Sequence, residues 1–373
     1  MIAYGRHSIN EDDISQVVSA LRGDWISTGP LVEEFESALE KVAGAPCVVV
    51  SSGTAALHCA YAAINLQPGD EVITPPITFI ATQAAAAQFG AKIVFADVHL
   101  DTACINPKAV EAAITPRTKA IVAVDYAGHP ADLDELRAIA NRYGIYLIED
   151  AAHSLGTIYK GRQVGSIADI TTFSFFPTKN ITTGEGGAIA SINSELLENA
   201  KRFSRQGLIR NSNEFKILSE GPWHQEVHKF GLNYRLPDIL CALGKSQLTR
   251  LQIFKQQRSD LFDEYLKNFT ELKEIEMPAK KSNVEPMWHL FPIKSEINQR
   301  KRIFLELRKR KIGVQVNYFP AHLHPVFSQL GFKKGQFPMS EEFYSREISL
   351  PMHTNLTPVL TNKVIQAVKE VCN

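Results

Sequence analysis

Short apolar runs alternate with helical stretches between residues 47 and 187, and this alternation constrains the fold more than any other feature of the sequence. A short run without polar alternation is typical of a strand buried on both faces of a parallel sheet. Helical stretches between such strands predict helices on both faces of that sheet. We therefore expect an α/β fold on a mostly parallel sheet, with strands at 47–50, 71–74, 92–97, 120–125, 145–149 and 171–175.

One lysine stands in a glycine-rich stretch after the predicted strand at 171–175. Between Ser174 and Gly187 the sequence reads SFFPTKNITTGEGG, in which Glu185 is the only charged neighbour of Lys179. A lysine among apolar and hydroxyl groups loses its charge easily and can act as a nucleophilic amine. An ordinary turn with a solvated lysine has the same composition, so this stretch alone leaves both interpretations open.

An aspartate at another predicted strand end favours the chemical interpretation. Asp150 and His153 lie in the segment EDAAHS, directly after the apolar run at 145–148. Ligands of open α/β sheets bind outside the carboxyl ends of the strands. A Schiff-base lysine with an aspartate on a pyridinium nitrogen is the signature of pyridoxal 5'-phosphate (PLP) sites. We predict these roles for Lys179 and Asp150, and expect His153 either to stack on the cofactor ring or to orient Asp150.

A third segment supplies a possible phosphate site. The residues SSGTAAL at 51–57 open a predicted helix that runs to about Ile64. Free N–H groups and the helix dipole favour a phosphate at such an N-terminus. A capped helix start without a ligand has the same sequence pattern, but lysine, aspartate and phosphate cradle together are far more specific than any one of them.

Five motifs carry a family resemblance: SGTAAL at 52–57, PxTFxAT at 76–82, EDAAHSxG at 149–156, SFxPxKxITTxEGG at 174–187 and GxNYRL at 231–236. Over nearly its whole length the chain resembles the DegT family of nucleotide-sugar aminotransferases, which are PLP-dependent enzymes of fold-type I. The resemblance implies a three-layer large domain at 1–250, a small C-terminal α/β domain at 251–373, and a homodimer with shared active sites.

The resemblance also implies roles for individual residues. Lys179 and Asp150 are expected to be catalytic, and Phe79 to lie flat against the cofactor ring. Asn233 is expected to reach the cofactor phosphate of the neighbouring subunit. The expected cofactor contacts are Gly53, Thr54, Ala55, Phe79, Asp150, His153, Ser174, Lys179 and Asn233. The expected substrate contacts are Thr28, Gly29, His289, Tyr318 and His322.

Two shorter motifs refine the expected activity. The segments 313–320 and 343–351 look most like the pseudaminic-acid pathway aminotransferase. That likeness implies transfer of an amino group from L-glutamate to C4 of a UDP-linked 4-keto-6-deoxy-N-acetyl sugar, with release of 2-oxoglutarate. Phe176 and Asn317 depart from the family pattern, because members often have His at both positions.

Composition excludes several other classes. Lys+Arg and Asp+Glu both number 40, so the net charge is zero and no basic surface for nucleic acid is indicated. No apolar run approaches the ~20 residues of a membrane span, and the N-terminus lacks a signal core. The five cysteines are scattered, which is typical of reduced thiols in a cytoplasmic protein. The pair His322 and His324 lacks a carboxylate at ligand spacing, so we expect no metal site.

The C-terminal part differs from the rest of the chain in its pattern of predicted helices and strands. A helix from Pro237 to about Asn268 is predicted to join two domains, after an irregular loop at 206–229. Beyond it we expect strands near 288–293 and 313–318, and helices near 298–311, 340–347 and 358–371.

Four alternatives remain to be weighed against the expected reaction. Sugar dehydratases of the same family carry His in place of the lysine, which argues against that chemistry here. A non-catalytic sugar-binding protein on this fold is expected to lack the lysine or the aspartate, and both are present. A nicotinamide dehydrogenase needs a GxGxxG segment after an early strand, and none occurs. An aminotransferase for another nucleotide-linked keto sugar stays open.

Overall fold

The computed structural model describes residues 1–372. Its helices are α1 Glu11–Arg22, α2 Pro30–Ala43, α3 Gly53–Ala63, α4 Ala81–Ala87, α5 Pro107–Ala113, α6 Leu133–Tyr143, α7 Ser194–Phe203, α8 Asp238–Thr249, α9 Leu251–Phe269, α10 Arg300–Lys309, α11 Pro325–Ser328, α12 Pro338–Arg346 and α13 Pro358–Val371.

The strands follow the same chain order. They are β1 Cys47–Val50, β2 Glu71–Thr74, β3 Lys92–Phe95, β4 Thr118–Val124, β5 Tyr146–Asp150, β6 Ile158–Tyr159, β7 Arg162–Gln163, β8 Ile170–Ser174, β9 Gly187–Ala190, β10 Leu208–Ile209, β11 Glu226–Val227, β12 Ile275–Glu276, β13 Val284–Glu285, β14 Phe291–Ser295 and β15 Glu347–Leu350.

A seven-stranded sheet forms the centre of the fold. Its order is β1-β9-β8-β5-β4-β2-β3, and every neighbouring pair from β8 to β3 is parallel. Strand β9 runs antiparallel to both β1 and β8. The predicted mostly parallel α/β sheet is therefore confirmed, although the sequence analysis had no strand at β9. The parallel order brings the carboxyl ends of β4, β5 and β8 to one edge.

Helices cover both faces of this sheet, and nearly all residues of its strands are buried between them. Helix α3 packs on β8 and β9 on one face, together with α4 and α7. Helix α6 packs on β4 and β5 on the other face. A further apolar cluster between α2, α8 and the β1–β9 end includes Phe35 and Phe175, whose rings lie 5.6 Å apart. This arrangement fixes the strand ends rigidly relative to one another.

The C-terminal part has a small antiparallel sheet of its own, in the order β12-β14-β15. Helices α9, α10 and α13 share one apolar cluster with these strands. Trp288 stacks on Phe262 of α9 in that cluster, with ring centroids 3.7 Å apart. The N-terminus joins the same region, because the Ile2 N–H donates to Lys311 O at 2.8 Å.

Two predictions about the C-terminal part were wrong. No strand forms at 313–318; only a single bridge joins Gln315 to Ser349, because the backbone hydrogen bonds to β15 in this stretch are confined to that one pair of residues. The long helix predicted from Pro237 is two helices, α8 and α9, with a break at Arg250. The guanidinium of Arg250 there is paired with the buried Asp13. Within residues 1–372, no helix combines the length and the apolarity that crossing a membrane requires.

Candidate active site

Lys179 lies in a turn just past the end of β8. The turn is closed by backbone hydrogen bonds, among them the Lys179 N–H to Phe176 O at 2.8 Å. The Lys179 side chain is half-buried, and no carboxylate among residues 1–372 forms a salt bridge with it. Desolvation by the surrounding atoms lowers the pKa of Lys179 to about 8, while the Asp150 carboxylate opposes that change. About a tenth of the amine is therefore neutral at pH 7, far more than for a lysine with the ordinary pKa.

Asp150 ends β5 and is buried. Its Oδ2 accepts a hydrogen bond from Thr82 Oγ1 at 2.7 Å, and its Oδ1 accepts one from the Ala152 N–H at 3.3 Å. Burial raises the pKa of Asp150, whereas the Thr82 hydrogen bond and the nearby Lys179 lower it. Burial is the largest of these effects, so the pKa of Asp150 lies above its usual value, while the two donors and the nearby cation hold the carboxyl group in place and oppose that rise.

The N-terminus of α3 faces the end of β8. Ser52 is its N-cap and accepts a hydrogen bond from the Ala55 N–H at 3.1 Å. The N–H groups of Gly53 and Thr54 have no acceptor within residues 1–372. A Cβ on Gly53 would lie 2.8 Å from the Cβ of Ser174, so only glycine leaves this cleft open. Two free N–H groups and the Ser174 hydroxyl form a cradle suited to a phosphate.

Two histidines lie beside this group. His153 and His289 are buried, and their ring centroids are 4.3 Å apart. His153 Nε2 is 3.3 Å from the Tyr318 hydroxyl, whose proton it can accept. Burial lowers the pKa of both histidines well below the usual value, and the nearby Lys179 lowers it further. Both rings are therefore neutral at physiological pH.

One cavity of about 600 Å³ collects these residues. Its strand-end side consists of the predicted residues Gly53, Thr54, Asp150, His153, Ser174 and Lys179. Its opposite side, the polar wall, consists of Tyr4, Gln315, Asn317 and Tyr318, with Glu347 and Ser349 directly behind them. The predicted residues Phe79 and His289 also line the cavity. The Phe79 ring is exposed and lies 6.1 Å from the Tyr318 ring.

Other predicted residues lie outside this cavity. Ala55 is buried, and its N–H is bound by Ser52. Thr28 and Gly29 lie at the surface, where the Gly29 N–H donates to Asp238 at 2.6 Å. The buried His322 packs against Phe95 and Phe337 and bonds Glu341. That apolar packing, away from the strand ends, explains why a single chain offers no role for His322 at the cavity.

Asn233 also lies outside the cavity of its own chain, on an exposed stretch. Arg235 just beyond it bridges Val50 at the end of β1, and Ser51 N–H donates to Tyr234 O at 2.8 Å. The segment is thus tied to the entry of α3, while the Asn233 side chain makes no hydrogen bond within residues 1–372.

Sequence reasoning missed the roles of three residues that line the cavity or hold its lining in place. Thr82 was part of a quoted motif, but nothing in its spacing showed that its hydroxyl would reach Asp150. Tyr4 comes from the N-terminal segment, and Glu347 lies behind the wall instead of lining it. For Glu347 the available signal was its place in the segment 343–351, and for Thr82 its place in the motif at 76–82.

A family model for the DegT/DnrJ/EryC1/StrS aminotransferases matches residues 7–369. The chain belongs to this family. The match covers almost the whole chain, including the strand ends and all of the polar wall except Tyr4, and it confirms the family resemblance found in the sequence.

Relatives and solved structures extend the comparison within the family. The chain is 40% identical over 372 residues to the uncharacterised protein MJ1066 of Methanocaldococcus jannaschii, covering 98% of this chain and 96% of that protein. It is 35% identical to the spore coat polysaccharide biosynthesis protein SpsC of Bacillus subtilis, covering 99% and 97%. The structure of PseC from Helicobacter pylori, an aminotransferase involved in pseudoaminic acid biosynthesis, superimposes with a TM-score of 0.92 at 32% identity, covering 100% and 99%.

The family is one of PLP-dependent sugar aminotransferases, and this chain is one of them. A sugar aminotransferase of Streptococcus pneumoniae, solved in its pyridoxamine-phosphate form, superimposes with a TM-score of 0.93 at 32% identity, covering 100% of this chain and 99% of that one. The chemistry of the cavity residues also suits PLP, independently of these comparisons. A poorly solvated amine, a carboxylate held by two donors and an open N–H cradle face one cavity.

Proposed function

We propose that this enzyme transfers the amino group of L-glutamate to C4 of a UDP-linked 4-keto-6-deoxy-N-acetyl-hexose, in the formation of a pseudaminic-acid type amino sugar. The observation that carries the proposal is the single cavity in which Lys179 and Asp150 face a wall of polar side chains. The similarity to PseC supports the choice of sugar.

Lys179 is the residue that we assign to covalent attachment of the cofactor and to proton transfer. When bound, PLP supplies an electron sink that stabilises a carbanion at the carbon bearing the amino group. The neutral Lys179 amine would hold the cofactor covalently and would be released when the amino donor enters. Its free Nζ would then take the proton from the donor α-carbon as a base and pass that proton on to the cofactor as an acid. A pKa of about 8 suits both directions of that transfer.

Asp150 is assigned to the pyridine nitrogen. Its carboxylate keeps that nitrogen protonated, because an anion in a buried site strongly favours a cationic partner. Thr82 holds one oxygen of Asp150 and the Ala152 N–H holds the other. Gly53, Thr54 and Ser174 anchor the phosphate, which matters because Lys179 releases its covalent hold during each turnover.

We propose further that the active unit is a homodimer with shared sites. The segment at 206–232 exposes large apolar side chains, with Leu218, Trp223 and Phe230 exposed by 92%, 74% and 94%. Apolar surface of this kind is typical of a protein interface. A symmetric dimer makes each contact twice, so Asn233 of one chain can complete the phosphate site of the other.

The test of the proposed reaction is product detection. The PLP-loaded enzyme is incubated with L-glutamate and a panel of nucleotide-linked keto sugars, and the amino sugars are identified by mass. We expect the UDP-linked 4-keto-6-deoxy-N-acetyl sugar to be aminated fastest, with no product from the Lys179→Ala control. Amination of a different keto sugar alone would contradict the proposed substrate and leave the aminotransferase chemistry intact.

A second candidate substrate comes from the similarity to SpsC. A protein of spore coat polysaccharide biosynthesis indicates that relatives at 35% identity serve other polysaccharides. The panel therefore includes other nucleotide-linked keto sugars, and preferred turnover of one of them would favour this alternative.

A further inference from the structure

The segments 313–320 and 343–351 meet in the polar wall. The Gln315 N–H donates to Ser349 O at 3.2 Å, and the Ser349 N–H donates to Gln315 O at 2.9 Å. Gln315 and Asn317 line the cavity, whereas Glu347 and Ser349 lie behind them with no exposed surface. The buried carboxyl group of Glu347 thus lies directly behind the residues that line the cavity.

Hydrogen bonds connect Glu347 to the cavity through Asn317. Glu347 Oε2 accepts from the Asn317 backbone N–H at 2.7 Å, and Oε1 accepts from the Ser349 hydroxyl. Asn317 Nδ2 donates to Ser349 Oγ at 3.0 Å and to the Tyr4 hydroxyl at 2.6 Å. Both Nδ2 hydrogens are used, so Oδ1, which has no partner within residues 1–372, is the end available to a ligand.

The direction of these hydrogen bonds depends on one proton. Ser349 has a single hydroxyl hydrogen, and when Glu347 accepts it, Ser349 Oγ can only accept from Asn317. When Glu347 itself carries a proton on Oε1, it donates to Ser349 Oγ. The Ser349 hydrogen is then free to be donated to Asn317, which accepts it when the carboxamide turns over and Oδ1 faces Ser349. Nδ2 would then be the end available to a ligand.

We propose that Glu347 is a positioning residue that sets, through Ser349, which end of the Asn317 carboxamide faces the cavity. The wall accepts a hydrogen bond from the sugar when Glu347 is ionised and donates one when Glu347 is protonated. The proposal rests on the proposed function only in taking a UDP-linked N-acetyl sugar as the ligand that this wall contacts.

The surroundings of Glu347 raise its pKa, so that Glu347 gains or loses its proton at a pH used in ordinary binding assays. Burial raises the pKa of Glu347 to about 8, against the hydrogen bonds from Ser349 and Asn317 and the charge of Arg300. Arg300 donates to Tyr344 O and is the cation on that side. The other titratable groups near Glu347 are the hydroxyls of Tyr4, Tyr126 and Tyr318. Burial raises the pKa of all three tyrosines, so they stay neutral while Glu347 titrates.

Two variants isolate the role of Glu347. In Glu347→Gln the amide oxygen can accept from the Asn317 N–H while the amide nitrogen donates to Ser349, which fixes the polarity of the protonated state. Ser349→Ala cuts the link between Glu347 and the Asn317 side chain. Glu285→Gln is the matched control, because the Glu285 side chain is 71% exposed and, in the part of the chain that the structure describes, forms a salt bridge only with Lys255.

The experiment measures binding of UDP-N-acetylglucosamine to the PLP-loaded enzyme by calorimetry, at pH values on both sides of about 8. We expect the dissociation constant to change about tenfold across that range in the wild type and in Glu285→Gln, as for one reversed hydrogen bond. It should be constant in Glu347→Gln, at the low-pH wild-type value, and constant in Ser349→Ala.

Two results would overturn the proposal. One is wild-type binding that does not vary with pH, or that varies equally in Glu347→Gln. The other is a purely structural effect, in which Glu347→Gln lowers the melting temperature and slows the reaction with L-glutamate as much as it weakens sugar binding. Since the readout is binding, failure to aminate any sugar counts against the proposed function and not against the role of Glu347.

Discussion

The two sides of the cavity are built in different ways. The strand-end side comes from segments that each end one strand or begin one helix, so the sheet itself brings Asp150 and Lys179 together. The polar wall comes from the N-terminal segment, an irregular segment and an edge strand, joined by side-chain hydrogen bonds around Asn317. The first side suits chemistry common to a family, whereas the second can change without disturbing the sheet.

This difference divides the expected effects of substitution. Changes on the strand-end side should slow the reactions of both L-glutamate and the sugar, because the same cofactor atoms serve both. Changes on the polar wall should affect the sugar far more than L-glutamate. The four predictions below test that division.

Asp150→Asn should have the largest effect among them. The amide has the shape of the carboxyl group but cannot keep the pyridine nitrogen protonated, so the rate with L-glutamate should fall at least about a hundredfold. PLP binding should persist, which equilibrium dialysis of the cofactor checks. A near-normal single-turnover rate with L-glutamate would remove Asp150 from its assigned role.

Thr82→Val should have a smaller effect at the same atom. It deletes the 2.7 Å hydrogen bond to Asp150 Oδ2, and the loss of a bond to a charged group costs about a factor of ten in rate. That hydrogen bond also lowers the pKa of Asp150. The pKa should therefore rise in the variant, and the acid side of the pH-rate profile should move to higher pH.

The matched control for Thr82→Val is Thr361→Val, since Thr361 is a buried threonine of α13 far from the cavity. It should leave the pH-rate profile unchanged. A profile that is identical in Thr82→Val and the wild type would show that Thr82 does not hold Asp150 in its ionised form.

Asn317→Ala tests the polar wall directly. The Michaelis constant for the sugar should rise about tenfold through loss of one hydrogen bond, and the single-turnover rate with L-glutamate should change less than about twofold. If Asn317→Ala impaired the reactions with both substrates equally, the polar wall would support the site as a whole and would not bind the sugar specifically.

The pH dependence of cofactor capture should show the smallest effect. The neutral Lys179 amine is the reactive form, and its pKa is lowered to about 8. The rate of PLP uptake by the apoenzyme should therefore rise with pH up to about 8 and level off above it. A rate that still increases well above that value would indicate an amine with an ordinary pKa.

The sequence predicted the strand-end side well because its residues lie in continuous motifs. Cys47–Val50 and Glu71–Thr74 have the predicted strand bounds, and Asp150 ends its strand. Strand β9 was missed because Gly187 begins it, and glycine weakens a strand pattern. That glycine is required there, since a Cβ on it would lie 2.6 Å from Ser52 O.

The polar wall could not be predicted in the same way. Tyr4 and Asn317 are more than three hundred residues apart, and their contact depends on how the N-terminus packs on the C-terminal part. The periodicity of apolar residues in a short segment cannot indicate such a long-range contact. Glu347 lies in a predicted helix by sequence, whereas the structure places it at the start of β15, because α12 ends at Arg346.

The shared-site dimer is the part of the account that depends on a second chain. Inactive Lys179→Ala can be mixed with a chain inactivated by a severe substitution at Asn233. If sites are shared, one site of each mixed dimer has neither defect, and activity should return after subunit exchange. No recovery despite demonstrated exchange would reject shared sites.

Borohydride reduction of the PLP-loaded enzyme, followed by peptide mass mapping, tests the assignment of Lys179 most directly. Reduction makes the link between cofactor and lysine permanent, so the modified peptide identifies the attachment site. We predict that the label is on Lys179 and that Lys179→Ala carries none after the same treatment. A label on another lysine in the wild type, or an equally labelled Lys179→Ala chain, would contradict the central claim.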